Sequence, residues 1–193
     1  KKKAIENTIF KITASQDLKF NKPEQILKSN DSLFLSPVVK KIKDQWIMWT
    51  VDYSDSKKKL YPLKIFQRKS KDLKSWSNPN MVNVEGLPEN EHPWHIGMLQ
   101  IDNNIICLLT TYIPNKKILL TQNWYAKSSN EGLSFVATKR MSKKYKFEDF
   151  FQYRGSLTNF KNDDEIQVFY STCSKNNIIN VVRKKIKKTA FGI

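Results

Sequence analysis

A turn sequence recurs three times along this chain, and its spacing constrains the fold more than any other feature. Each copy joins a Ser and an Asp or Asn to an aromatic residue a few positions later, in residues 15–20, 70–76 and 129–135. With Asp17, Asp72 and Asn130 as equivalent points, the copies lie 55 and 58 residues apart. The intervening segments are rich in β-branched and aromatic residues, which is typical of strands. A repeat of this length predicts a repeated all-β architecture.

The physical role of the turn follows from its residue types. Ser and Asp side chains hydrogen-bond nearby backbone amides and so stabilise a tight connection between strands. The aromatic residues Phe20, Trp76 and Phe135 are expected to pack between adjacent sheets, where they would bury a large area. These turns are therefore predicted to be structural, far from any ligand.

A second landmark keeps nearly the same period. The pairs Ser36-Pro37, Trp94-His95 and Tyr153-Arg154 follow one another in steps of about 59 residues. We therefore divide the chain into units 31–86, 87–142 and 143–193, with residues 1–30 as the end of a preceding unit. Four predicted strands in each unit are typical of propeller blades, whose sheets stack radially around a channel.

Composition limits the class of protein without identifying a ligand. The 193 residues include 34 basic and 18 acidic side chains, a net charge of +16, and 39% hydrophobic residues. Such a chain folds rather than staying disordered. The charge indicates either a generically basic surface or one directed at a polyanion. The longest apolar run, residues 105–109, is far shorter than a membrane span. No signal peptide is visible, and an extracellular or cell-surface location is slightly favoured over a cytoplasmic one.

Three groups of residues carry a resemblance to a known superfamily: 70–79, then 35–39 with 46–49, then 153–156 with 168–171. They resemble the five-bladed β-propeller glycoside hydrolases of the arabinanase/β-xylosidase-like and invertase-like families, and the turns are similar to sialidase-type Asp-boxes. The resemblance implies an all-β propeller with about three and a half four-stranded blades in this chain. Closing the ring would then take residues upstream of Lys1, a partner chain or an open assembly, and we favour a truncated sequence.

In such propellers the innermost strand of each blade lines the central funnel. The 59-residue step places Ser36, His95 and Arg154 at equivalent positions on three inner strands, where they would form a polar binding cluster. Trp94 and Tyr153 offer flat faces for sugar rings. Structural roles remain open for each: Ser36 as an ordinary strand residue, His95 bonded to a carbonyl, and Arg154 paired with an acid.

Glycoside hydrolysis normally uses two carboxylates. The candidates are Glu91 and Asp149, just before two inner strands, with Asp52 as a further acid or substrate contact. Because no pair matches the family pattern, three functions stay open: a glycoside hydrolase relative acting on or binding a glycan, including an acidic one; a non-catalytic glycan-binding module of a surface, phage-adhesion or polysaccharide-biosynthesis protein; and a basic scaffold for a polyanion, with nucleic acid ranked last. We predict no metal site and no cofactor.

Overall fold

The structure is a computed structural model of the chain, and it describes residues 7–29, 33–53, 63–114, 121–141, 151–159, 164–173 and 179–193. Most of these residues lie in strands, 69% of them, which confirms the all-β prediction. One short 3₁₀ helix, Lys188–Phe191, follows the last strand. Within the described part of the chain there is no helix long and apolar enough to cross a lipid bilayer.

Thirteen strands lie within the described residues. The first six are β1 (Asn7–Lys11), β2 (Glu24–Ser29), β3 (Leu33–Ile42), β4 (Gln45–Tyr53), β5 (Lys64–Ser70) and β6 (Asn80–Glu85). The remaining seven are β7 (His92–Ile101), β8 (Asn104–Tyr112), β9 (Thr121–Ser128), β10 (Ser134–Arg140), β11 (Phe151–Asn159), β12 (Glu165–Cys173) and β13 (Ile179–Lys187).

Within β1–β2, β3–β6, β7–β10 and β11–β13, consecutive strands pair antiparallel. Strands β3 to β6 form one meander and β7 to β10 a second, and a short parallel pairing of β6 with β10 joins them into one hydrogen-bonded sheet. Strands β1 and β2 form a separate pair, and β11 to β13 form a three-stranded sheet. The first strands of the three larger units, β3, β7 and β11, lie side by side. This arrangement is a partial β-propeller with those strands innermost.

Strand β8 explains how the sheets hold together. Its residues Ile105, Cys107 and Leu109 belong to the core between the two meanders, whereas Ile106 and Leu108 belong to the core against the third sheet. Alternate side chains of a strand point to opposite faces. An uninterrupted apolar run is therefore what a strand buried on both faces needs, and β8 supplies it.

The recurring turns share one backbone conformation as well as one sequence pattern. Leu18, Leu73 and Glu131 each follow the Asp or Asn and each have a positive φ, between 58° and 65°. In the second copy the Asp72 carboxylate accepts hydrogen bonds from the backbone N–H groups of Lys74 and Ser75, both at 2.8 Å. These bonds, that from Ser75 first, lower the pKa of Asp72 to about 2.

Two details of the turn prediction were wrong. In the third copy the participating serine is Ser128, whose Oγ donates to Asn130 Oδ1 at 2.8 Å, and not Ser129. Phe20 is 73% exposed, whereas Phe135 is buried and Trp76 is half-buried. Phe20 belongs to the turn beside the two-stranded β1–β2 sheet, where it pairs with Ala14 in an isolated bridge, and its exposure shows that it does not pack between sheets.

Candidate functional site

Each inner strand contains a β-bulge near its start. The register shifts at Ser36-Pro37 in β3, at Trp94 in β7 and at Arg154 in β11. A bulge bends its strand and redirects side chains, and bulges are frequent beside functional sites. Ser36 has a φ of +48°, in the left-handed region that residues other than glycine seldom occupy. The three positions singled out by the 59-residue step are thus irregular in the same way.

A chain of hydrogen bonds joins the three inner strands. Ser36 Oγ is bonded to His95 Nδ1, and His95 Nε2 lies 2.7 Å from the hydroxyl of Tyr153. Ser36 is 6% exposed and His95 is 7% exposed, so these two residues are shielded from water. Each of β3, β7 and β11 contributes one residue to this chain of hydrogen bonds. We call Ser36, His95 and Tyr153, with Trp94, the axial cluster.

The bulge in β7 accounts for the ring geometry of the axial cluster. Successive residues of a regular strand point to opposite faces, but a bulge breaks this alternation. The rings of Trp94 and His95 consequently stack, with centroids 5.6 Å apart and planes 18° apart. The ring of Tyr153 meets both edge-on, at 5.9 Å from Trp94 and 4.8 Å from His95. Stacked and edge-on contacts are the favoured geometries for aromatic pairs.

The electrostatic environment keeps His95 neutral. Burial, together with the smaller effect of the Arg154 charge, lowers the pKa of His95 to about 4. A neutral imidazole offers one donor and one acceptor nitrogen, so it matches a hydroxyl on each side. Arg154 itself is exposed, and its positive charge is close enough to His95 to contribute to this lowering of the pKa. The site therefore combines a buried, neutral histidine, hydrogen-bonded on both sides, with the accessible cation of Arg154.

Two glycines allow the inner strands to approach this closely. A Cβ on Gly97 of β7 would lie 2.4 Å from the carbonyl oxygen of Gly155 on β11. A Cβ on Gly155 would lie 2.4 Å from Leu108 Cδ2 and 2.7 Å from the carbonyl oxygen of Phe169. Backbone atoms cannot yield as a flexible side chain does. The absence of a side chain at Gly97 and at Gly155 therefore allows the strand spacing at which Tyr153 reaches His95.

The candidate carboxylates are placed differently from one another. Glu91 is buried, and its Oε2 accepts hydrogen bonds from Thr111 Oγ1 at 2.6 Å and Trp124 Nε1 at 2.7 Å. Asp52 is buried in the first meander, where its Oδ2 lies 3.8 Å from Arg68 Nη2. Neither contact involves the axial cluster. Asp149 lies outside the described residues.

Two further residues at this end of β7 and β8 were not predicted. Tyr112 is buried; its ring meets Trp94 edge-on at 5.4 Å and lies 5.9 Å from the ring of His92. Burial lowers the pKa of His92. The pairing of His92 with Tyr112 across the β7–β8 hairpin depends on the bulge at Trp94, which shifts the register by one residue. Counting back from the hairpin turn alone would have paired His92 with the wrong residue.

Comparisons with known proteins bear on the fold. No protein-family model matches the sequence, and no curated protein sequence is significantly similar to it. Solved structures do match. An N-acetylgalactosamine deacetylase from F. plautii aligns over 87% of this chain and 54% of its own length, at 17% identity and a TM-score of 0.66. A family 117 glycoside hydrolase from Zobellia galactanivorans aligns over 95% and 59%, at 10% identity and a TM-score of 0.61.

An α-L-arabinofuranosidase from Fusarium graminearum aligns over 97% of this chain and 69% of its own length, at 11% identity and a TM-score of 0.59. The fold is that of the five-bladed β-propeller glycosidases. This confirms the resemblance seen in the sequence and the assignment as a partial propeller. The chain spans about half the length of the first solved structures that it matches.

Proposed function

We propose that this propeller recognises a glycan at the axial cluster. The observation that carries the proposal is the convergence of three inner strands on one neutral histidine beside stacked aromatic rings. Proteins bind sugars with flat aromatic surfaces and a few fixed hydrogen-bonding groups, and both occur here. The similar solved structures, a deacetylase and glycosidases that act on carbohydrates, support the same class of ligand.

The accessible members define the contacts that we assign to the glycan. Trp94 and Tyr153 are half-buried, so part of each ring is open to a ligand, and Arg154 is exposed. The rings would pack against C–H faces of a sugar, and the guanidinium would donate to hydroxyl or carboxylate oxygens. Ser36 and His95 lie beneath them and hold Tyr153 in place. In this arrangement the buried residues Ser36 and His95 position Tyr153, and the more accessible residues bind the glycan.

Binding to a panel of immobilised glycans tests the proposal. Arg154→Gln and Trp94→Ala should each weaken binding at least fivefold, because each removes a direct contact. Arg140→Gln is a matched control, since Arg140 is also exposed but lies on β10. If Arg154→Gln and Trp94→Ala both bind the glycans as tightly as the unaltered protein does, the axial cluster is not the glycan site.

Hydrolysis of the bound glycan is the second candidate function, favoured by the glycosidase fold. The residues assigned to it are Glu91 and Asp149. The bonds from Thr111 and Trp124 hold Glu91 firmly, which suits a structural carboxylate better than one that exchanges protons with substrate. Hydrolysis would be established if the protein releases the leaving group from aryl glycosides. The Glu91→Gln variant should then lose this release but still bind the glycan. Glycan binding without turnover would establish a binding protein.

A further inference from the structure

A second candidate site lies away from the axial cluster, between the second meander and the third sheet. Strand β13 forms one wall of this cleft, and β9 and β10 contribute Tyr125 and Lys139 to the other. The cleft is open to solvent and has a volume of about 670 Å³, within the range usual for ligand sites. The 3₁₀ helix after β13 anchors this region, because its buried Phe191 packs on the ring of Tyr125 with centroids 4.9 Å apart.

The lining of this cleft is strongly basic. Of the seven described residues that line it, four are cationic and none is acidic; the four are Lys139, Arg183, Lys184 and Lys185. Arg183 Nε donates to the neutral side-chain oxygen of Gln167 at 2.8 Å, which leaves its charge uncompensated by that bond. Lys185 forms an ion pair of 3.2 Å with Glu165, and both partners are substantially exposed to water. Such an exposed pair is weak and exchanges readily with another anion.

Protection of a sheet edge explains only part of this charge. Lysines on an exposed edge strand prevent pairing with other chains, and the exposed residues Arg183 and Lys185 of β13 fit that role. Lys139 does not belong to that edge, because it lies on β10 in the neighbouring sheet. Lys184 also differs from these two residues, because it is half-buried and its Nζ lies 5.7 Å from the ring centre of Tyr170. Two strands of different sheets therefore direct positive charge into one cleft.

We propose that this cleft binds an anionic glycan, a polysaccharide whose sugars carry carboxylate or sulfate groups. Lysine ammonium groups act as separate point charges and suit anions spaced along a chain. Sites for single-stranded nucleic acid instead combine a basic groove with several aromatic platforms, and the described lining has one aromatic residue. The net charge of +16 would speed the encounter with any polyanion, and the cleft supplies the selectivity.

The test compares two double variants with the same net charge. Lys139→Gln/Lys184→Gln alters the cleft, whereas Lys22→Gln/Lys64→Gln removes two exposed lysines elsewhere. Affinities are measured by titration calorimetry for a polygalacturonate oligosaccharide, a chondroitin sulfate oligosaccharide, a neutral galactan oligosaccharide and a single-stranded DNA of similar length. The cleft variant should bind at least one of the two acidic oligosaccharides about tenfold more weakly, and the control should change less than twofold.

Three results would overturn the proposal. Equal losses of affinity in the two double variants would mean that binding of the polyanion depends on net charge alone. Stronger cleft-dependent binding of the DNA than of either acidic oligosaccharide would assign the cleft to nucleic acid. Failure of the unaltered protein to bind either acidic oligosaccharide would also refute it. The axial cluster is assessed separately, because Arg154→Gln should leave cleft binding of acidic oligosaccharides within twofold.

Discussion

Acidification should weaken the folded state through His95. The ring has a pKa of about 4 in the folded protein and about 6.5 when unfolded. The unfolded chain therefore binds a proton over a pH range in which the folded protein does not. Stability from this residue is fully present above about pH 6.5 and is lost as the pH falls toward 4. The linkage relation gives a loss of about 2 kcal/mol between pH 7 and pH 5, and about 3 kcal/mol by pH 4.

The assay is urea unfolding at a series of pH values from 7 to 5, for the unaltered protein and for His95→Gln. Carboxylates begin to take up protons only at the acidic end of that window, and they are the same in both proteins, so their effect cancels in the comparison. His92, whose pKa is also lowered, remains in both proteins, so its effect cancels in the comparison. The variant should be less stable at pH 7 yet lose about 2 kcal/mol less on acidification. Identical pH slopes for the two proteins would refute the argument that burial holds His95 neutral.

Three further outcomes follow from close contacts. Gly132→Ala should destabilise the protein by about 2–4 kcal/mol in urea unfolding, since a Cβ there would lie 2.5 Å from the Trp49 ring at a φ of +76°. Gly97→Ala should cost about 1–3 kcal/mol and alter the Tyr153 ring signals in NMR spectra, because the new Cβ forces β7 and β11 apart. Asp72→Asn should speed amide exchange at residues 74 and 75; in the unaltered protein that protection should fall as the pH drops from about 3.8 to about 2. Unchanged stability in the first two variants, or unchanged exchange in the third, would contradict these arguments.

The sequence was sufficient for the architecture because the signals involved are local and repeated. The run at residues 105–109 is the longest apolar segment of the sequence, and it lies in β8, the strand that is buried on both faces. The 59-residue step likewise related Ser36 to His95, and these two residues are hydrogen-bonded. A period fixes which positions are equivalent. It does not fix which way each side chain points.

The irregular features of the site lay beyond sequence reasoning for that reason. Each bulge inserts one residue into one strand of a pair and so reverses the expected orientation of its neighbours. Pro93, beside Trp94, is a local sign of an edge or a bulge, because prolines within sheets are largely restricted to such places, but it does not show that Trp94 and His95 stack. Similarly, the exposure of Phe20 depends on which sheets lie near β1 and β2, a property of the assembled fold.

The axial cluster also connects ligand binding to the packing of the blades. Its hydrogen bonds cross from β3 to β7 and from β7 to β11, so any displacement of one inner strand changes the position of the Tyr153 hydroxyl. A proton on His95 would introduce a buried charge next to the cation of Arg154, and both effects oppose it. The neutral state of His95 therefore stabilises the contact between the inner strands, and it also keeps one donor and one acceptor nitrogen fixed under the proposed sugar site. Glycan affinity should consequently fall over the pH range in which His95 begins to take up a proton, and it should do so before the fold is lost.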